Sequence, residues 1–273
     1  MNEILSSVLV GIIQGITEWL PISSEGVITI IYLLLFEDTT IENAIGFAIW
    51  VHGGTAIAVT IYFRKDLQSL FADTLKNPLH PTPLTLFLVV STLVSIGVVS
   101  LIIFILKDIS VTVTSGLMLV VGLLMLVTAL LQTNRFRLNL GSRSVNHINL
   151  KDAILSGLVQ GFSILPGISR SATTVSILIF RGFNKKEAIR LSFLMSVPAS
   201  WGAILIGLFN LNKDVSISAI IALTTAAIVG FLAIRLILHL GETINFSVIV
   251  FSIGGFIVMG SLIQLIFIGS PAY

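Results

Sequence analysis

The chain has 273 residues, of which 55% are hydrophobic and only 10% charged, with a mean hydropathy of +1.06 and a formal net charge of +2. Soluble globular chains carry about 25% charged residues, so the composition excludes a soluble domain, and no nucleic-acid partner is expected. Without cysteine, disulfides and thiolate metal sites are excluded as well.

Ten apolar segments follow one another, at roughly 4–20, 27–36, 45–63, 84–106, 111–132, 153–165, 172–181, 188–209, 216–238 and 246–268. They predict an all-α polytopic membrane protein, a single integral-membrane domain over 1–273. The opening Met-Asn-Glu lacks a basic stretch and a small-residue cleavage site, so no signal peptide is expected. Segments 27–36 and 172–181 hold ten residues each. That is about 15 Å of helix against a hydrocarbon core of about 30 Å. Each is therefore expected to turn back with the segment before it as a re-entrant helical hairpin, leaving six full spans.

One stretch occurs twice. Gly11, Gln14, Gly15, Ile22 and Ser23 recur 146 positions later as Gly157, Gln160, Gly161, Ile168 and Ser169, and Thr17 falls on Ser163. Farther on in the same register Phe47 falls on Phe193 and Val51 on Val197. This reads as an internal duplication, repeat 1 about 1–134 and repeat 2 about 148–273, with five helical segments each. A hairpin makes no net crossing and three spans follow it, so each copy crosses an odd number of times. The copies then run in opposite orientation as an inverted repeat, and their hairpin tips can meet at mid-membrane.

The basic residues orient this arrangement. Loops 64–83, 133–151 and 182–187 and the adjoining helix ends carry Arg64, Lys65, Lys76, Arg135, Arg137, Arg143, Lys151, Arg181, Lys185, Lys186 and Arg190, and Arg235 joins them. Only Lys107 and Lys213 fall on the other side. The first side is expected to be cytoplasmic and both termini external, in the plasma membrane. Glu37, Asp38 and Glu42 read as a solvated outer loop, and His80, His147 and His239 as ordinary loop or span-end residues.

The chemistry concentrates at the two Pro/Ser motifs. Gln14 and Glu18 are four apart on one helix face, and Glu18 carries a charge at membrane depth, where it is costly. A carboxylate and an amide at that spacing suit a hard divalent cation, Mg²⁺ or Ca²⁺, with substrate phosphate and water completing the shell, or a water to be activated. The glycines beside them read as a close-packing stripe. In the second copy the position of Ser24 is Arg170, flanked by Ser169 and Ser171, with Thr173 and Thr174 one turn on. The planar guanidinium matches phosphate oxygens, and free N–H groups at a helix start add an anion cradle. An ion pair of Arg170 with Glu18 or Glu25 is the structural alternative. Ser23 and Ser24 open the matching helix of the first copy, singly as caps and together as the facing cradle. His52, inside a span, reads equally as site support or as packing. Two facing cradles with one arginine and one acidic pair describe a diphosphate site.

At these motifs the chain resembles the undecaprenyl-diphosphate phosphatase family, the bacitracin-resistance type. Gln14 through Gly26 match the family's first motif, Pro166 through Thr174 its second, and Val51-His52-Gly53-Gly54-Thr55 a third stretch. The resemblance covers essentially the whole chain. It implies an interdigitated inverted repeat with six spans and two hairpins, and removal of the terminal phosphate from a C55 polyprenyl diphosphate. It further implies that Gln14 and Glu18 serve metal and catalysis, that Ser24 is nucleophile or phosphate ligand, and that Ser169, Arg170 and Thr174 cradle the diphosphate. Three positions depart from the pattern: Glu25 replaces a Thr, Val27 replaces a His, and Ala48 replaces an acidic residue. The proton-transfer role of that His falls vacant, and Glu25 is expected to take it or to add a metal ligand. A dolichyl-type carrier fits the same residues as the C55 lipid.

The expected function is hydrolysis of a polyprenyl diphosphate to the monophosphate and inorganic phosphate at the membrane, with membrane lipid around the spans and a homodimer compatible. A carrier or flippase for the polyprenyl monophosphate is the alternative, since midplane anion sites in inverted repeats also build transporters. A carrier would need the cradle but no nucleophile or acid/base group.

Overall fold

The computed structural model describes residues 3–36, 41–106, 142–165, 168–210 and 216–240, with further residues between 119 and 130 and between 251 and 262. Expected segments 111–132 and 246–268 thus lie mostly outside the described residues, as do Glu37, Asp38, Lys107, Arg135, Arg137, Lys213 and both termini. So does Pro166-Gly167, part of the second motif.

The described elements are α1 (Glu3–Thr17), α2 (Ser24–Leu35), α3 (Ile41–Tyr62), α4 (Arg64–Lys76), α5 (Pro83–Leu106), α6 (Leu150–Phe162), α7 (Arg170–Phe180), α8 (Lys185–Asn210) and α9 (Ile217–Leu240), with a 3₁₀ turn at Val145–His147 before α6. Four stretches are long and apolar enough to cross a membrane: Asn43–Tyr62, Pro83–Ile105, Lys185–Leu205 and Ile217–His239. Helices α2 and α7 have 12 and 11 residues, too short to cross. The polar segment expected as loop 64–83 is a correction: its first part is helix α4, which buries none of its residues.

The helices that precede the two short ones each pack on a distant part of the chain. Helix α1 lies along α9, and α6 lies along α5. A Cβ at Gly11 would stand 2.5 Å from the Ala222 carbonyl oxygen, and one at Gly15 2.8 Å from the Gly230 nitrogen. In the second copy a Cβ at Gly157 would stand 2.5 Å from the Ser91 carbonyl oxygen, and one at Gly161 2.5 Å from Val98 Cβ. Each glycine stripe therefore seats the first helix of one copy on the fourth segment of the other. Helix α3 closes the centre against α8 and α9. There Trp19 packs on Phe193 at 5.1 Å between ring centroids, within a core that includes Val59, Leu194 and Ile234.

Polar clasps tie the ends. Asp152, fully buried, takes bidentate donation from Arg143 (3.3 and 2.7 Å) and one bond from Arg181 Nε (2.6 Å). Burial pushes the Asp152 carboxyl up, but the two guanidinium groups and the Asn149 N–H outweigh it and hold the pKa below the usual range. Asn149 and Asp152 form a reciprocal capping box that starts α6. Arg190 pairs with Asp66 at 2.5 Å and fastens α4 to α8.

Candidate active site

Glu18 lies just past the last turn of α1, buried at 7% exposure, with its N–H bonded to the Gln14 carbonyl. Four side chains converge on its carboxylate. Gln14 Nε2 donates to Oε2 at 3.1 Å, and Ser24 Oγ donates to the same oxygen at 2.9 Å. His52 Nε2 stands 3.0 Å from Oε2, while its Nδ1 faces the Ala48 carbonyl at 2.7 Å. Arg170 Nη2 donates to Oε1 at 2.5 Å. Such charge-assisted bonds are stronger than neutral ones, and so many on one buried carboxylate compensate its desolvation.

The ion pair foreseen as the structural alternative for Arg170 is therefore present, with Glu18 and not Glu25. It uses one arm of the fork only. Arg170 Nη1 is buried and, among the described residues, has no hydrogen-bond partner. An orphaned guanidinium donor beside a cavity is a place for an anionic oxygen.

The two Pro/Ser motifs touch. Ser171 Oγ donates to the Leu20 carbonyl at 2.7 Å and lies 3.2 Å from Ser169 Oγ. Ser169 caps α7 by accepting from the Ala172 N–H at 3.3 Å. Ser23 is the N-cap residue of α2 but makes no capping bond with its side chain, which leaves its hydroxyl open.

The starts of α2 and α7 face one cavity of about 360 Å³. Its polar wall holds Glu18, Ser23, Ser24, Glu25, His52, Ser169, Arg170 and Ser171, and its apolar wall includes Ile96, Val99 and Ile103 of α5. Glu25 is exposed there and makes no hydrogen bond or ion pair with any described residue. A charged head on one side and aliphatic walls on the other suit an amphiphile.

Three expected site residues stand elsewhere. Gln14 sits behind Glu18 and does not reach the cavity wall. The hydroxyl of Thr173 turns back to the Ser169 and Arg170 carbonyls, and that of Thr174 to the Arg170 carbonyl and to Ser192 Oγ at 2.6 Å. Both hydroxyls are thus turned onto α7 and its neighbour α8 in this structure; a helical Thr commonly satisfies its hydroxyl on a carbonyl one turn back.

The family model described as "Bacitracin resistance protein BacA" matches residues 7–259 of this sequence. The chain belongs to the BacA family. It is similar to proteins named undecaprenyl-diphosphatase from Methanococcoides burtonii, 34% identical over 93% of this chain and 97% of the relative. Those of Haloarcula marismortui (33%, 96% and 99%) and Idiomarina loihiensis (33%, 87% and 88%) carry the same name.

In this BacA-family chain the cavity has lining residues that sequence reasoning passed over, among them Ser95, Gln160, Ser163 and Ser200. Gln160 was within reach, because it falls in register with Gln14. The serines carried no signal, since single hydroxyls in apolar helices recur throughout the chain.

Among the described residues no three His, Asp or Glu side chains cluster for a metal. Glu18 and Gln14 are nevertheless hard oxygen donors, and Gln14 Oε1 is buried without a partner among the described residues. Gln14 lies behind that carboxylate and off the cavity wall, so of the two only Glu18 stands where it could hold a cation shared with a ligand in the cavity.

Proposed function

We propose that this protein is a membrane phosphatase that hydrolyses undecaprenyl diphosphate to undecaprenyl phosphate and inorganic phosphate. Family membership and the name carried by the relatives support the reaction. The observation that carries the site assignment is one buried carboxylate, Glu18, holding both Ser24 and Arg170 at the starts of two helices that face one cavity. The diphosphate head would lie between those helix starts, and the isoprenoid tail along Ile96, Val99 and Ile103.

In this reading Arg170 Nη1 takes an oxygen of the terminal phosphate while Nη2 stays on Glu18, so the fork is held in place before substrate arrives. Ser24 already donates to Glu18 Oε2 and is the nucleophile. Its Oγ bonds to the terminal phosphorus as its proton passes to Glu18, and the bond from phosphorus to the bridging oxygen breaks. Undecaprenyl phosphate leaves. Water then attacks the phosphoserine phosphorus, giving up its proton to Glu25; the bond from phosphorus to Ser24 Oγ breaks, Oγ recovers its proton from Glu18, and inorganic phosphate leaves. A divalent cation, Mg²⁺ or Ca²⁺, is part of the proposal, with Glu18 as its donor at the cavity and Gln14 bracing that carboxylate. When bound it would neutralise charge on the phosphoryl oxygens.

The crossed packing of α1 on α9 and of α6 on α5 supports an inverted repeat with six spans and two re-entrant hairpins. The clustering of basic residues supports cytoplasmic loops 64–83 and 133–151 and external termini. Cysteines placed at Ser69 and Ser142 should then resist an impermeant thiol reagent in intact cells; labelling from outside would invert the orientation.

The reaction is tested by phosphate release from undecaprenyl diphosphate by purified protein, with and without chelator. Release that a chelator abolishes and Mg²⁺ or Ca²⁺ restores is expected. Tight binding of the lipid with no release would favour a carrier.

A further inference from the structure

Gln160 is the amide of the second copy. It falls in register with Gln14, on the glycine stripe of α6 as Gln14 is on that of α1. In the first copy the amide is tied to Glu18, four residues on, at 3.1 Å. In the second copy that position is Ile164, which offers no side-chain acceptor. The Ser163 hydroxyl is committed to the backbone carbonyl of Gln160, at 2.6 Å, and leaves the amide alone.

The consequence is a side chain that is 3% exposed and has no hydrogen-bond partner among the described residues at either Nε2 or Oε1. Leaving such a group unpaired is costly, because it has given up its water and gained no partner. Yet Gln160 lines the same cavity as Ser24 and Arg170. A buried, unsatisfied amide facing that cavity is complementary to a ligand with oxygens to offer.

We propose that Gln160 is a further substrate-binding residue: Nε2 donates to a non-bridging oxygen of the diphosphate, and Oε1 accepts from water or from a protonated phosphate oxygen. An uncharged amide suits the position, because a carboxylate would repel the polyanion. The two copies thus use one ancestral amide differently. Gln14 braces the catalytic carboxylate, and Gln160 meets the substrate.

The proposal rests on the phosphatase reading, and its test separates the two. The full-length protein in detergent is compared with Gln160→Met, which keeps the shape without polar atoms, and Gln160→Glu, which replaces the donor by an anion. The probes are thermal unfolding with and without farnesyl methylenediphosphonate, a non-hydrolysable polyprenyl diphosphate, and steady-state hydrolysis of undecaprenyl diphosphate. Without ligand, Gln160→Met should match or exceed the wild-type Tm, because it removes an unpaired amide. Its ligand-induced rise in Tm should largely vanish, and KM should climb roughly tenfold with a smaller change in kcat, the size of one lost hydrogen bond made in ground and transition states alike. Gln160→Glu should lose roughly a hundredfold in kcat/KM by repulsion. Wild-type KM and ligand shift in both variants would overturn the proposal, and so would a lowered Tm of ligand-free Gln160→Met, which marks a structural amide. If the wild type binds the probe but releases no phosphate, the phosphatase reading falls, and the ligand shift alone decides the role of Gln160.

Discussion

Ser24 and Arg170 stand at the same position of the two sequence copies, and they bind opposite oxygens of one carboxylate, that of Glu18, at 2.9 and 2.5 Å. The hydroxyl and the guanidinium are thereby held at a fixed separation on either side of one anion. The two motifs differ here, Ser in one and Arg in the other, as they do at Glu18 and Ile164, and in the proposed mechanism these two residues are the nucleophile and the phosphate clamp.

In the proposed mechanism Arg170 acts through both arms of its fork, Nη2 on Glu18 and Nη1 on a phosphate oxygen. Arg170→Ala should lower kcat by roughly 10³-fold, and Arg170→Lys should remain within about tenfold of that loss, because one ammonium cannot hold Glu18 and a phosphate oxygen in fixed planar geometry. Steady-state assays of the purified variants check this. A Lys variant with near wild-type kcat would mean that charge alone matters.

Glu18 and Gln14 are unequal partners. Glu18→Gln removes the negative charge on which four side chains converge and turns one acceptor oxygen into a donor, and it should cost roughly 10²–10⁴-fold in kcat. Gln14→Glu should cost far less and make activity depend more steeply on divalent cation, since two facing carboxylates need one between them. Comparable losses in both variants with unchanged Tm would assign the pair a purely structural role.

Glu25 faces the cavity unpartnered, in the first turn of α2, where the family pattern has Thr, while Val27 stands where it has His. Glu25→Gln should lose most of the turnover, by roughly 10²-fold. The double change Glu25→Thr with Val27→His should recover part of it. Full activity of Glu25→Gln would leave the second proton transfer to Glu18 or to bulk water.

The glycine stripes set the depth of the site. Gly157→Ala would drive a methyl to 2.5 Å from the Ser91 carbonyl and push α6 off α5. A cost of about 1–3 kcal/mol is expected, seen as a lower Tm in detergent together with reduced activity. Gly97→Ala, where an added Cβ meets nothing within 4 Å, should leave Tm unchanged or raise it. Equal shifts in the two variants would show that the stripe is not a packing seam.

Some of this architecture needed only the linear chain. Apolar composition, the ten-residue segments and the duplicated motif are properties of neighbouring residues and of register, and they suffice for an all-helical membrane protein with two helices too short to cross. Helix α4 escaped because its polar, basic sequence reads as a loop when burial is the criterion, and it forms a helix that buries nothing. For Thr173 and Thr174, spacing on a helix does not say whether a hydroxyl points outward or back to its own backbone, and the structure turns both back. Other choices were tertiary. Arg170 had two acids within reach of the same hairpin, and selected Glu18 because α1 is seated on α9 and α6 on α5 at glycine contact distance. The same seating brings His52 of α3 onto Glu18 and leaves Glu25 open to the cavity. It also faces Gln160, whose intrahelical partner is lost to Ile164, toward the place where Ser24 and Arg170 meet. Which side chains converge there depends on distances between helices far apart in the chain, and those are decided by packing.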